Sequence, residues 1–179
     1  MFIFTVIIVA VAVIFILKYN KFKTFAEDVE QQKSSIDVAL NSRYDTIMQM
    51  QQTVKGYMGH EADTLIKISS VRSGMSVEEM ANSENQMAKA VSQMYAVAEN
   101  HPQLRASENF MMLQKIIANC EDNLQAARRS YNSAVAEFNK AISVFPGNIV
   151  ASIMHLSKAS FFEINDSSKR DLVNLDFSR

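Results

Sequence analysis

Residues 110–145 read FMMLQKIIANCEDNLQAARRSYNSAVAEFNKAISVF, and this stretch decides the fold. Alternating steps of three and four residues along it fall on apolar, aromatic or small side chains without a charged interruption. That spacing is the seam of a helix that packs nearly parallel or antiparallel to its partners. The seam consists of Phe110, Leu113, Ile117, Cys120, Leu124, Ala127, Tyr131, Ala134, Phe138, Ala141 and Phe145.

The same spacing predicts two further long helices. The seam of the first runs from Phe22 to Val71, and most of its positions are apolar. The seam of the second runs from Val77 to Ala98 and is interrupted by Glu84. Charged residues at seam positions need partners on a neighbouring helix if they are buried. The polar exceptions on the first seam are Lys33, Arg43, Glu61 and Thr64.

Residues with special backbone chemistry mark where these helices begin and end. Gly74 suits a C-terminal cap, and Ser76 with Glu79 forms a capping box for the second helix. Pro102 disfavours a helical conformation at the residue before it, so the second helix should stop there. Ser107 is suited to cap the third helix, which the sequence FPGN should end.

A shorter fourth helix is predicted from about Ile149 to Glu163, followed by a polar tail. Four Gly and two Pro in 179 residues are too few for the turns of a many-stranded sheet. We therefore predict an all-α fold, in which an N-terminal transmembrane helix continues into an antiparallel bundle of three long helices and a short fourth. The predicted parts are a transmembrane anchor at 1–17, a membrane-proximal stalk at 18–45, the bundle at 46–164 and a flexible tail at 165–179.

The N-terminal stretch MFIFTVIIVAVAVIFIL is the strongest local signal. It holds no charge, and as a helix it is ~25 Å long, near the lower limit for crossing the hydrocarbon core. A cleaved signal peptide is the alternative, but no basic region precedes the apolar run. Lys18, Lys21 and Lys23 follow it directly, and positive flanks stay in the cytoplasm. This predicts a single-pass protein with its N-terminus outside and its body in the cytoplasm.

A comparison of helix lengths predicts uncovered apolar residues near the membrane. The second helix is ~36 Å long, whereas the first is ~80 Å beyond the anchor. Folded back from Gly74, the second helix reaches only to about Met48, and the third starts near that level. We hypothesise that the stalk pairs with another copy or another membrane-associated protein, unless the first helix bends near Gly56 and Gly59. The stalk candidates are Phe22, Val29, Ile36 and Leu40.

Composition removes several classes of function. The net charge is −1 and no block of lysine or arginine stands out, so the electrostatic footprint of nucleic-acid binding is missing. The single cysteine, Cys120, excludes an internal disulfide and a multi-thiolate metal site, and we expect it to be an inert core residue. No Gly-rich phosphate loop or serine elbow is present in the sequence. We expect no cofactor and no enzymatic activity.

Residues 57–64, YMGHEADT, open like the helical zinc-protease motif H-E-x-x-H. His60 and Glu61 are in place, but Thr64 stands where the second metal-binding histidine should be. A structural or partner-binding role for His60 and Glu61 is therefore favoured over a metal site. Lys55 and Tyr57, just before them, are candidates for the same role.

Arg43, Tyr44 and Asp45 form a second group of candidates. Arg43 falls on the seam, so its guanidinium needs a carboxylate or carbonyl partner if it is buried. Glu99 and Glu108 are the expected partners, because the turn between the second and third helices should lie near that level. A buried polar contact that fixes helix register is favoured, and a docking site for another protein is the alternative.

Several longer sequence words point to a family. The chain contains, in order, YNKF after the anchor, SSIDVAL, RYDTI, TVKGYMGHE, AVAENHPQLRASENFMMLQ, CEDNLQAARRSYNSAVAEFN and FPGNIVA. With these words it resembles the LemA family from Tyr19 to Glu163. The resemblance implies a bacterial membrane-anchored protein with one N-terminal membrane helix and an antiparallel helical bundle. It also implies that no enzymatic activity is established for such proteins.

The sequence therefore predicts a non-enzymatic scaffold or protein-interaction module of the bacterial inner membrane, with self-association at the membrane as one form of it. The membrane is contacted through residues 1–17, and the protein partner is a second copy or another membrane-associated protein. A membrane-linked sensor or signalling adaptor is the first alternative. A metal-dependent hydrolase built on His60 and Glu61 is the second.

Overall fold

The computed structural model describes residues 1–58, 68, 70–72 and 74–163. Within these residues the chain is helical and has no β-strand, which confirms the all-α prediction. One of the described helices, the first, is long and apolar enough to cross a membrane, and its apolar part is not buried against the rest of the chain. The helices are α1 (Phe2–Met58), α2 (Val77–Asn100), α3 (Pro102–Arg105), α4 (Glu108–Ser143) and α5 (Gly147–Ile153).

Helix α2 begins as the sequence predicts. The Glu79 N–H donates to the Ser76 hydroxyl oxygen (3.2 Å), and the Ser76 N–H donates to the Glu79 carboxylate (2.7 Å), so both halves of the capping box form. Gly74 has a φ of 82°, in the left-handed region that residues with a side chain rarely adopt, but residues 70–72 before it are not helical, so the prediction that it caps the first helix is wrong. The capping bonds satisfy backbone donors that the first turn of a helix leaves without partners.

The turn between α2 and α4 also follows the prediction. Helix α2 ends at Asn100, because Pro102 restricts the backbone of the residue before it. Pro102 then opens α3, which is about one turn long. The Ser107 hydroxyl accepts a hydrogen bond from the Phe110 N–H (3.2 Å) and caps α4. Both predicted signals at this turn, the stop before Pro102 and the cap at Ser107, are therefore confirmed.

The chain divides into two compact units, and each contains part of α1 and part of α4. The first unit is Met1–Ala39 with Asp122–Phe161. The second unit is Leu40–Glu121 with the segment from Phe162. The division into a stalk and a bundle between residues 45 and 46 stays a prediction.

In the second unit, α1 and α4 are antiparallel. Near the start of α4, the Asn109 side-chain amide donates to the Thr53 hydroxyl oxygen (3.4 Å). Further along α4, Glu121 pairs with Arg43. Residue numbers thus rise on α4 as they fall on α1, which fixes the direction of the pairing.

In the first unit, α4 covers the part of α1 that follows the anchor. A groove of about 320 Å³ is lined by Lys18 and Phe22 of α1 and by Lys140 of α4, among others. The end of α4 therefore lies beside the first turns of α1 after the apolar run. A second groove is lined by Gln32 of α1 and Ser130 of α4, so residue numbers again fall on α4 as they rise on α1, and the pairing is antiparallel.

The prediction that four stalk residues lack cover within the chain is wrong. Phe22, Val29 and Ile36 of the first unit, and Leu40 of the second, are at most 8% exposed. The length comparison took α2 as the cover, whereas α4 is ~54 Å long, starts beside Thr53 and runs antiparallel to α1. These four residues therefore give no support to a self-pairing stalk.

Helix α4 confirms most of the seam predicted for the third helix. Phe145 is the exception and is 78% exposed, because α4 ends at Ser143 and the chain turns into α5. Ala127 and Ala141 are half-buried. The buried seam residues are Phe110, Leu113, Ile117, Cys120, Leu124, Tyr131, Ala134 and Phe138.

The fourth helix is shorter than predicted. Helix α5 ends at Ile153, because His155 adopts a φ of 52° and reverses the chain. The N–H groups of His155 and Leu156 donate to the carbonyls of Ser152 (3.2 Å) and Ala151 (2.9 Å) respectively. This is the Schellman pattern that ends many helices, with histidine at the position where glycine is usual.

Gly147 allows α5 to pack closely against α4 and α1 within the first unit, and its replacement should destabilise the fold. A Cβ at Gly147 would overlap the Ala141 carbonyl oxygen and lie 3.2 Å from Phe22 Cζ. We expect Gly147→Ala to cost about 1–3 kcal/mol, the usual cost of overpacking. The measurement is denaturant unfolding of the full chain in detergent, followed by far-UV circular dichroism.

Gly56→Ala is the matched control, because a Cβ there meets nothing within 4 Å. It removes a glycine from a helix and should stabilise the chain by about 0.5–1 kcal/mol. Equal stability of the two variants would contradict the close packing of α5.

Candidate functional site

Arg43, the central site residue predicted from the seam, is buried and paired. It is 5% exposed, and its Nη1 lies 2.7 Å from the Glu121 carboxylate. The expected partners, Glu99 and Glu108, are wrong, because antiparallel packing brings a later part of α4 to this level of α1. Glu121 directly follows the seam residue Cys120, and this was the available signal for it.

The Arg43–Glu121 contact joins α1 to α4 and leaves the guanidinium little surface for a ligand. Nη1 is close to the carboxylate but outside hydrogen-bond angles, so the contact is an ion pair. Nε of Arg43 has no hydrogen-bond acceptor among the described residues. A guanidinium buried to this extent presents almost no surface to another protein. Burial therefore favours the register-fixing interpretation of Arg43.

Tyr95 of α2 completes the environment of Arg43. Burial raises the pKa of the Tyr95 phenol above its usual 10.0, and the positive charge of Arg43 offsets part of this increase. The Tyr95 ring meets Phe110 edge to face, with centroids 6.5 Å apart. Such aromatic contacts add specific geometry to apolar burial. The cluster thus links α1, α2 and α4 within the second unit.

Cys120 lies in the same cluster and is 6% exposed. Its Sγ is 3.8 Å from the Ser42 hydroxyl and 3.9 Å from the Thr46 hydroxyl, which are distances of weak sulfur hydrogen bonds. A reactive cysteine is usually exposed and close to positive charge that favours the thiolate. The burial of Cys120 favours the predicted core role.

The remaining candidates on α1 are less buried than Arg43. Tyr44 is half-buried, Asp45 and Lys55 are exposed, and Tyr57 is 40% exposed. Their roles as partner-binding or structural residues stay predictions.

His60 and Glu61 lie outside the described residues, so the metal and partner roles considered for them also stay predictions. In the rest of the chain, across residues 1–58, 68, 70–72 and 74–163, no three His, Cys, Asp or Glu side chains lie close enough together to hold a metal ion.

In the first unit, polar side chains of α4 bind the chain that follows α5. The Asn139 amide donates to the Ala159 carbonyl (2.9 Å) and accepts from the Ala159 N–H (2.8 Å), as a neighbouring β-strand would. The Tyr131 hydroxyl donates to the Ser160 carbonyl (2.9 Å). Burial, and to a smaller extent the negative charge of Glu30, raises the pKa of Tyr131. The side chains of Asn139 and Tyr131 therefore hold the backbone of the segment after α5 against α4.

Helix α4 carries an exposed apolar strip, although the sequence favours core packing over partner binding for its two methionines. Met111, Met112 and Ile116 are 50%, 56% and 37% exposed. Met112 and Ile116 are four residues apart and therefore neighbours on one face of the helix. The available signal was an excess of apolar residues beside the seam position Phe110. We call these three residues the α4 strip.

A family model described as the LemA family matches residues 32–177. The chain belongs to the LemA family. The resemblance inferred from its sequence words is confirmed, and the apolar N-terminal part of α1 makes it a membrane-associated protein of the LemA type.

Relatives of this LemA-family chain carry two kinds of name. Protein LemA of Metamycoplasma hominis is 24% identical over 164 residues, which cover 89% of this chain and 75% of that protein. Magnetosome protein MamQ 2 of Paramagnetospirillum magneticum is 19% identical over 186 residues, covering 87% of this chain and 68% of the relative. Magnetosome protein MamQ of Magnetospirillum gryphiswaldense is 18% identical over 185 residues, with the same coverage. None of these names states a catalytic activity.

Breaking the Arg43–Glu121 pair should destabilise the second unit. Glu121→Ala leaves a buried guanidinium without its carboxylate, and we expect a loss of about 1–3 kcal/mol. Adding Arg43→Met removes the buried charge, so the double variant should lose less than the sum of the two single variants. The measurement is a double-mutant cycle by denaturant unfolding. Additive losses would show that the ion pair contributes nothing.

Tyr131→Phe should change both the stability and its dependence on pH. Loss of the hydrogen bond to Ser160 should cost about 0.5–1.5 kcal/mol at neutral pH. Because the folded-state pKa is raised, the stabilising effect is complete below the unfolded value of about 10 and is lost as pH rises through the folded value. The variant should therefore lose stability less steeply in alkali, as measured by urea unfolding at several pH values. An unchanged alkaline slope would contradict this assignment.

Proposed function

We propose that this LemA-family protein is a membrane-anchored, non-enzymatic interaction module that binds another protein through the α4 strip. Residues 1–17 anchor it, and the lysines at 18, 21 and 23 keep the body on the cytoplasmic side. The bundle acts as a rigid support for the strip. The partner is a second copy or another membrane-associated protein.

The use of polar groups supports a binding role over a catalytic one. Arg43 forms an ion pair, and the side chains of Asn139 and Tyr131 form hydrogen bonds with backbone groups. A catalytic site needs a nucleophile, an acid or base and a cavity in mutual reach. The polar clusters of the described residues instead join one helix or segment to another.

The single observation that carries the proposal is the exposure of the α4 strip. Burial of Met111, Met112 and Ile116 against a partner would remove apolar surface from water, which is the main source of affinity in helix-face docking. Methionine suits such a surface, because its flexible, polarizable side chain adapts to the shape of the partner. These side chains lie at the surface, so core packing does not account for them.

Photocrosslinking from Met112 in native membranes tests the proposal. We expect a photoreactive residue at Met112 to give a discrete adduct that mass spectrometry identifies as this chain or as one recurrent protein. Ala88, exposed on α2, is the matched control position and should not give that adduct. The stalk candidate Ile36 is unsuitable as a position for the photoreactive residue, because it is 0% exposed.

Met111→Lys should lower the yield of the adduct, because a charge on the strip opposes its burial while the exposed position leaves the fold unchanged. An adduct with this chain would define a self-assembling scaffold, and a foreign protein would define an adaptor. Equal labelling from Met112 and Ala88 would exclude the strip as the docking surface.

A further inference from the structure

Exposed apolar residues concentrate where α4 turns into α5. Four large apolar side chains within ten residues are exposed there, and Phe145 at 78% is the most exposed of them. Seven-residue α5 buries its other face, which carries Val150 and Ala151. We call residues 144–153 the α4–α5 corner. Its exposed apolar members are Val144, Phe145, Ile149 and Ile153.

The α4–α5 corner adjoins the end of the apolar run of α1. Val144 lines the groove that also contains Lys18, Lys21 and Phe22. Gly147 lies close enough to Phe22 that a Cβ would be 3.2 Å from the ring. Because Lys18 is the first residue after the apolar run, the corner lies at the level where that run would leave a bilayer.

The charges around the α4–α5 corner match a lipid surface. Lys18, Lys21 and Lys140 line the groove, against one carboxylate, that of Glu137. Lys23 is also exposed nearby in the sequence. Lysines beside exposed apolar residues are typical of segments that lie in the headgroup region of anionic membranes.

We infer that the α4–α5 corner is a second membrane contact, in which Phe145, Ile149 and Ile153 enter the boundary between headgroups and acyl chains. The inference rests on the proposed anchoring by residues 1–17, which holds the corner beside the bilayer. Because the anchor already holds the chain at the bilayer, the α4–α5 corner needs little affinity of its own for lipid. A bilayer is the occupant that the anchor already supplies at this level, so no further partner is required.

The test measures the depth of a fluorescent probe in vesicles that contain the full chain. Single cysteines replace Phe145, Val38 or Val9 in a Cys120→Ala background, each labelled with an environment-sensitive dye. The vesicles contain phosphatidylcholine and phosphatidylglycerol, with or without bromine on the acyl chains. Val38 is the matched control, because it is an apolar residue of the first unit that is 68% exposed and lies ~30 Å along α1 from Lys18.

We expect brominated lipid to reduce the emission of the probes at positions 145 and 9 and to leave the probe at 38 unchanged. Quenching at 9 without quenching at 145 would overturn the second contact while preserving the anchor. Absence of quenching at 9 would overturn both the anchor and the contact. Equal quenching at 145 and 38 would also overturn the inference, because it would show no preference for the corner.

A second measurement asks whether Phe145 drives the contact. A probe at Ile153 should lose quenching by brominated lipid when Phe145→Ser is added, because the largest exposed apolar side chain is removed. Circular dichroism of the same sample shows that the helices are retained. Unchanged quenching at 153 would exclude Phe145 as the inserting residue.

Discussion

Burial of the α4 seam against α1 is the interaction on which the rest of the structure depends. In each unit, α1 and α4 run antiparallel and contribute the largest buried side chains, among them Phe22, Ile36 and Phe110. Each such side chain contributes about 1.5–3 kcal/mol when it is removed from water. The direction of this pairing decides which residues meet, and therefore the partner of Arg43 and the position of the α4–α5 corner.

Local features of the fold could be predicted from the sequence because they depend on neighbouring residues. The capping box at Ser76 and Glu79, the helix stop before Pro102 and the cap at Ser107 each involve residues within four positions. The seam positions follow from the helical repeat and a requirement for burial. These features need no knowledge of which helix lies beside which.

Pairing between helices could not be predicted in the same way. Every seam is mainly apolar, so the pattern shows that a helix is covered without showing which helix covers it. Ile36 was for this reason predicted to lack cover within the chain, and Arg43 was assigned to the wrong carboxylates. The early end of α5 was missed for another reason, because His155 rather than glycine takes the left-handed position.

In the candidate site too, some residues could be recognised from their own helix, whereas others depend on how the helices pair. Arg43 could be recognised as an important position because a charge interrupts an apolar seam. Glu121 could not be chosen over Glu99 or Glu108 until the direction of α4 was known. Exposed apolar residues are harder still, since Phe145 continues the seam spacing and lies outside the helix only because α4 ends two residues earlier.

The two exposed apolar surfaces differ in chemistry, and this difference argues for different occupants. The α4–α5 corner combines an aromatic and branched side chains with lysines that follow a membrane-spanning run. That combination suits the interface of a bilayer, where an aromatic ring and a lysine stem both lie partly in the acyl region. The α4 strip is mainly methionine, and it belongs to the other unit. Adaptable thioethers gain most from a protein surface of defined shape, so the strip is better suited to a partner than to lipid.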